Sequence, residues 1–171
     1  DTTSYARALK SAVRSAPDVI LIGEIRDQET MEAAISLSGS GHLCLATLHA
    51  NNSTEALDRI INMFPQQQHA QIFLDLSQYL KGIVSQRLVQ GLSGRRAAAV
   101  EILLNTPHIS ELVLKGDISG IKEALVGSTE LGMQSFDKSL LKLLKSGRIS
   151  LEDALSNADS RSNLEAWINF G

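Results

Sequence analysis

The sequence predicts an α/β fold with a mostly parallel sheet, followed by a small all-helical subdomain. Three observations carry that expectation. Apolar runs alternate with helical patterns up to about Asn105. The first two runs are apolar on both faces, as strands buried in a parallel sheet must be. From Thr106 onward the texture is helical only. Strand, helix, strand, helix at these spacings implies a parallel sheet covered on both faces. The expected division is therefore residues 1–105 for the sheet-bearing part and 106–171 for the helical part.

Residues 6–16 read as an amphipathic helix stopped by Pro17, which cannot donate to a helical ladder. Residues 18–23 form a short β-branched run, the first strand. Residues 29–37 return to helical texture, which Gly39-Ser40-Gly41 ends. Residues 42–48 form the second strand. A helix follows over 54–64, with Ser53 or Thr54 as N-cap and Pro65 as the stop. The polar stretch 66–71 opens a longer helix towards Leu80. Residues 83–89 and 97–103 read as two more strands around the turn-rich Gly91-Leu92-Ser93-Gly94. Four or five short helices complete the chain. In the one over 133–145, Met133, Phe136, Leu140, Leu143 and Leu144 stand at helical spacing, a stripe that reads as core packing rather than a cofactor contact.

Composition narrows the function. Of 171 residues, 43% are hydrophobic and 20% charged, as in ordinary soluble globular proteins. A net charge of −3 gives no electrostatic reason to expect nucleic acid, and the Arg95–Arg96 pair reads as solvated surface. Cys44 is the only cysteine, so neither an internal disulfide nor a multi-cysteine metal site is available, and a reducing cytosol fits. Within Leu43-Cys44-Leu45-Ala46 it reads as a small buried hydrophobe. No apolar stretch approaches the roughly 18 residues of a membrane helix, and no secretory leader is seen. Asp1-Thr2-Thr3-Ser4 lacks an initiator methionine and leads straight into helical texture, which reads as a cut piece of a longer chain.

The most informative segment is Pro17-Asp18-Val19-Ile20-Leu21-Ile22-Gly23-Glu24-Ile25-Arg26-Asp27. A parallel strand delivers the residues after its last position to the carboxyl edge of the sheet, where ligands bind in open α/β folds. Here that edge receives Glu24, Arg26 and Asp27. An acid so placed can orient a water, or hold magnesium through water, as nucleotide hydrolysis requires. The plainer alternative is that these charges simply leave the core for solvent. The second segment, Gly41-His42-Leu43-Cys44-Leu45-Ala46-Thr47-Leu48-His49-Ala50-Asn51, puts Thr47, His49 and Asn51 at the end of the neighbouring strand, where they could sense a phosphate or a polarised water. His42 begins that strand and belongs at the opposite edge unless the strand is short.

Absences are equally specific. The chain contains no G-x-x-x-x-G-K-[S/T], the loop whose amides cradle phosphates and whose lysine and hydroxyl complete a magnesium site. Ser38-Gly39-Ser40-Gly41 lacks the lysine and ends a helix instead of starting one. The histidines at 42, 49, 69 and 108 match no zinc spacing, so no metal site is expected, and no Gly-x-Ser-x-Gly elbow occurs.

Taken together, these segments resemble the secretion ATPase superfamily. Residues 17–27 are similar to its atypical Walker B segment, in which apolar residues lead into Gly23-Glu24, and residues 41–51 look like its His box. Gln86-Arg87-Leu88, Ala97-Ala98-Ala99-Val100-Glu101 and Leu131-Gly132-Met133-Gln134-Ser135-Phe136-Asp137 match in order. The likeness covers essentially the whole chain and is nearest to the type IV pilus retraction ATPases of the PilT/PilU family, on the PilU side. That side rests on residues 102–107 and on the segment from Asn157 onward.

The resemblance implies the C-terminal half of a RecA-like P-loop core, working as a homo-hexamer on the cytoplasmic face of the inner membrane. There it would use ATP and Mg2+ to retract pili and power twitching motility, with a PilT-type ATPase and the inner-membrane pilus platform protein as partners. By position, Glu24 activates the attacking water, and Gly23, Arg26 and Asp27 flank it in the Walker B segment. His49, with His42 and Thr47, forms the nucleotide-sensing His box. Glu101 marks a region tied to retraction, although Ala-Ala-Ala-Val-Glu matches that motif only loosely. Without a phosphate loop, the chain alone is expected to bind no cofactor and to turn over no ATP.

Two other readings stand beside this one. A pilus-extension or type II secretion ATPase would carry a four-cysteine zinc insertion after the Gln-Arg-Leu strand, and the interval 89–96 holds no cysteine. An accessory interaction module acting on a PilT-type motor is the other. A DNA-handling relative finds neither positive charge nor an aromatic-basic groove.

Overall fold

The computed structural model describes residues 17–170, so the helix expected over 6–16 lies outside the described residues. The chain divides into two compact units. Of the described residues, one comprises 17–50, 54–81 and 105–118; the other comprises 51–53, 82–104 and 119–170. The strands within residues 82–104 group with the C-terminal helices.

The first unit is built on two parallel strands, β1 (Val19–Ile22) and β2 (Leu43–Ala46), in the register Val19↔Leu43 to Ile22↔Ala46. Helix α1 (Gln28–Gly39) connects them. It starts at Asp27, whose side chain accepts from the backbone N of Thr30 at 2.9 Å, so the acid after the strand satisfies a helix terminus. Ile20 and Ile22 are buried, as are Met31, Ala34 and Leu37 of α1. Val19, Leu21, Leu43 and Leu45 alternate with them and stay exposed, Leu21 to 74%. Coverage of both sheet faces is therefore not seen among the described residues. One β-α-β crossover has a fixed hand and places its helix on a single face.

Helix α2 (Ser53–Asn62) buries Ala56, Leu57, Ile60 and Ile61, and Phe64 joins them in the core. A short 3-10 turn, Gln66–Gln68, leads into α3 (His69–Tyr79). Helix α4 (Pro107–Lys115) packs on α3, with Ile109 and Val113 buried, as are Ile72 and Leu76. Thr106 caps α4 by accepting from the N of Ile109, and Pro107 occupies the first turn, where its missing N–H costs nothing. Gly116 ends the helix at φ 67°, a left-handed conformation that favours glycine. Asn105 ties the two helices, its Nδ2 donating to the carbonyls of Ser77 and Leu80 at 2.9 Å each.

The second unit contains β3 (Gly82–Gln90) and β4 (Arg96–Leu104), which pair antiparallel from Gly82↔Leu104 to Gln90↔Arg96. Both strands fall where the sequence placed them, but they form a hairpin separate from the parallel pair. The connection over 91–95 is far too short for the crossover of a dozen or more residues that parallel pairing needs. Helices α5 (Ile118–Gly127), α6 (Phe136–Lys145), α7 (Leu151–Ser156) and α8 (Arg161–Phe170) complete the chain.

One face of the hairpin supplies Val89, Ala97 and Ala99 to a core shared with Phe136, Leu140, Leu143, Ile149, Ala154 and Leu164. The stripe read as packing is thus core, except that α6 starts three residues after Met133, at a cap made by Ser135. Gln134 instead extends the sheet by exchanging backbone hydrogen bonds with Ile102, at 2.8 and 3.0 Å.

Polar groups complete this core. The Arg87 guanidinium lies 3.9 Å from the Phe136 ring centroid and donates from Nη1 to Asp159 Oδ1 at 2.7 Å. Asp137, 3% exposed, accepts from the backbone N of Asp159 (2.7 Å) and of Ser160 (3.0 Å). Burial pushes its carboxyl up from the ordinary range, and these two hydrogen bonds and Arg87 pull the other way.

Phe136→Ala removes the largest fully buried side chain and the platform under Arg87. It is expected to cost about 3–5 kcal/mol, read as a drop in the urea midpoint. At Gly91 an added Cβ would sit 2.3 Å from the carbonyl oxygen of Arg95, which is backbone and cannot step aside. Gly91→Ala is therefore expected to open the β3–β4 turn and lower the melting temperature; at Gly94, φ 76°, Asn is expected to cost less than Ala because Asn enters the left-handed region more readily.

Candidate functional site

The parallel register decides which residues meet. Val19 pairs with Leu43 and Ile22 with Ala46, so the residues after both strands emerge at one edge. The ladder runs on past the strands: Ile25 N donates to Thr47 O at 2.9 Å, and Thr47 Oγ1 donates to the carbonyl of Gly23. Gly23 and Thr47, both expected at the site, therefore lock the two strand ends side by side. Nothing lies within 4 Å of a Cβ built at Gly23, so space is open there.

Glu24 and His49 converge at this edge. His49 Nε2 is 3.0 Å from Glu24 Oε1, with side chains 79% and 23% exposed respectively. The other carboxylate oxygen, Oε2, accepts from Arg26 Nε at 2.6 Å and lies 2.5 Å from Arg26 Nη2 as an ion pair. The Arg26 hydrogen bond holds the Glu24 carboxyl below its usual range. The charges of Arg26, His49 and Arg59 act in the same direction, against partial burial that raises it. The result is an ionised acceptor at a sheet edge, with a histidine on one oxygen and an arginine on the other. Such a carboxylate can take a proton from a water on Oε1, which keeps a second lone pair beside its contact with His49.

Three other expected residues have partners of their own. Asp27 caps α1, and its bonds with Thr30 hold its carboxyl low. His42 precedes β2, so it lies at the opposite end of the parallel pair from Glu24. Its Nδ1 is 3.0 Å from Ser40 Oγ and 3.3 Å from Leu37 O, in the turn that ends α1. Glu101 lies on β4 in the second unit, 4% exposed. Its Oε1 accepts from Ser53 N (2.9 Å) and Ser53 Oγ (2.6 Å), and so satisfies the first residue of α2. Cys44 is half-buried, and burial pushes its thiol up, away from nucleophilic character.

One residue was missed. Arg59, on α2, donates from Nη1 to the carbonyl of His49 at 2.8 Å. The sequence places Arg59 on the helix over 54–64, but nothing in it says which loop that side chain would reach. Among the described residues, no three or more His, Cys, Asp or Glu gather as a metal-binding group, and no helix is long and apolar enough to cross a membrane.

Comparison with known proteins places this edge in context. The chain is 50% identical over its whole length to the type IV pilus ATPase PilU of Pseudomonas aeruginosa, spanning 45% of that protein. Over 95% of its length it is 37% identical to the type IV pilus retraction ATPase PilT of the same organism, spanning 47% of it. The crystal structure of the pilus retraction motor PilT with bound ADP superposes with a TM-score of 0.85 at 38% identity, covering 96% of this chain and 46% of that one. The chain thus spans a little under half the length of the relatives it matches. The family model described as Type II/IV secretion system protein matches residues 1–111. The α/β architecture, the order of the motif segments and this match agree: the chain belongs to the Type II/IV secretion system protein family.

Proposed function

We propose that this chain is the carboxyl-terminal part of an ATP-hydrolysing motor that retracts type IV pili, and that Glu24 is its general base. The observation that carries the reading is the 3.0 Å approach of His49 Nε2 to Glu24 Oε1 at the carboxyl edge of the parallel pair. The likeness to PilU and PilT supplies the reaction class. Glu24 accepts a proton from a water as its oxygen attacks the terminal phosphorus. The bond to the bridging oxygen breaks, and ADP and phosphate leave. His49, exposed and in contact with the base, is placed to register whether that phosphate is present.

ATP and Mg2+ fit this edge only in part. Mg2+ keeps several waters and takes most other ligands from phosphates, so a single carboxylate acting through water suffices on the protein side, and Glu24 meets that need. The bound ion would neutralise charge on the phosphates. The phosphate loop is not in this sequence, so the chain alone is inactive and the longer protein supplies it. In the same reading the longer protein is a homo-hexamer on the cytoplasmic side of the inner membrane. It works with a PilT-type ATPase and the pilus platform protein, and Glu101 contributes by holding Ser53, not by touching nucleotide.

Phosphate release by the longer protein tests this. Glu24→Gln is expected to lower kcat by about 10²–10⁴-fold with modest change in KM, the range for losing a general base. Wild-type protein without turnover, or a Glu24→Gln variant at full rate, overturns the motor reading. Phosphate release by the 171-residue chain alone overturns its proposed inactivity. A pH profile adds a sign. Arg26 favours the ionised carboxylate, so Glu24 stays a competent base to lower pH than an unpaired glutamate does. Arg26→Gln is therefore expected to move the acid limb of kcat/KM to higher pH.

A further inference from the structure

His49 lies three residues past the end of β2, where the ladder no longer fixes the backbone. The register brings it to the edge, but its exact placement against Glu24 needs a further hold. The His49 carbonyl takes a hydrogen bond from Arg59 Nη1 at 2.8 Å, a charge-assisted bond of ordinary geometry. Arg59 is well placed to hold it. Leu57, Ile60 and Ile61 on the same helix are buried at 1%, 7% and 6% exposure, so α2 cannot roll without bringing apolar surface into water. The guanidinium is thus offered from a fixed platform to a loop that lacks one.

We propose that Arg59 is a positioning residue for the Glu24–His49 pair: by gripping the His49 carbonyl from α2, it sets where the imidazole meets the carboxylate. The proposal rests on the motor reading for its kinetic consequences, but the geometry it asserts does not. Arg59 also acts on the pair by charge, being among the cations that hold the Glu24 carboxyl low. Its exposed position leaves it able to let go, so the link can be made and broken without disturbing the core.

The test compares Arg59→Ala, Arg59→Lys and His49→Ala in the longer protein. Arg59→Ala is expected to lower kcat for ATP by roughly 10–100-fold, the scale of a misplacement near 1 Å, with KM within about twofold. Arg59→Lys is expected to recover most of the loss, because an ammonium can also donate to the carbonyl. If Arg59 acts through His49, adding Arg59→Ala to His49→Ala costs little more; losses that multiply overturn the proposal.

A second readout needs no hydrolysis. Diethyl pyrocarbonate modification of His49, read by peptide mass, is expected to rise several-fold in Arg59→Ala and return in Arg59→Lys, while His108, exposed on α4, reacts unchanged. A His49 rate that Arg59→Ala leaves unmoved overturns the proposal whether or not the longer protein hydrolyses ATP. A wild-type protein that hydrolyses nothing, with a His49 rate that still responds to Arg59, overturns the motor reading alone.

Discussion

The pairing of Val19–Ile22 with Leu43–Ala46 in parallel, in step from first residue to last, is the constraint on which the site depends. Parallel strands in step send the residues beyond them to the same edge. A carboxylate two residues past one strand and an imidazole three past the other therefore arrive together. A one-residue slip would turn the buried isoleucines of β1 outward and carry Glu24 with them. Burial of Ile20 and Ile22 thus fixes the register, and through it which residues share the edge. The backbone and hydroxyl bonds between residues 23–25 and Thr47 extend that control to the first residues outside the ladder.

Away from the strands, charged groups hold loops by gripping backbone. Arg59 takes the carbonyl of His49, Asp137 takes two amides after α7, and Glu101 takes the amide and hydroxyl of Ser53. Each satisfies a main-chain or hydroxyl group that regular structure leaves unpaired, which is why an acid such as Glu101 can be almost fully buried. Asp27 does the same at the start of α1. Acids after strands can therefore serve the fold, and in residues 24–27 a helix-capping acid sits three positions after the carboxylate that meets His49.

Element type and order were largely legible because periodicity reports them directly. The strands over 82–90 and 96–104, the helix stop at Pro65 and the turn at Gly91 all stand close to where residue pattern put them. Pairing was less legible. An apolar run does not state its partner, and the short connection between β3 and β4 is what makes them antiparallel. Exposure misled in one place: Leu21 and Leu45 are apolar yet face outward here, so hydrophobicity alone overstated coverage of the sheet. Of the site residues, Glu24, Arg26, Thr47 and His49 could be placed at one edge from strand ends alone. His42 was expected at the other end of its strand, and β2 does start just after it.

By itself the sequence determined the identity of the edge residues, the family likeness and the lack of a phosphate loop, because these are properties of residue order that folding does not change. Only tertiary structure decided that His49 touches Glu24, that Glu101 faces inward to Ser53, and that Arg59 reaches the His49 backbone. Those contacts join residues 25, 48 and 10 positions apart. A local pattern sets which way a side chain leaves its own strand or helix. The partner it meets depends on how separate elements pack, and that is fixed by burying apolar faces against one another.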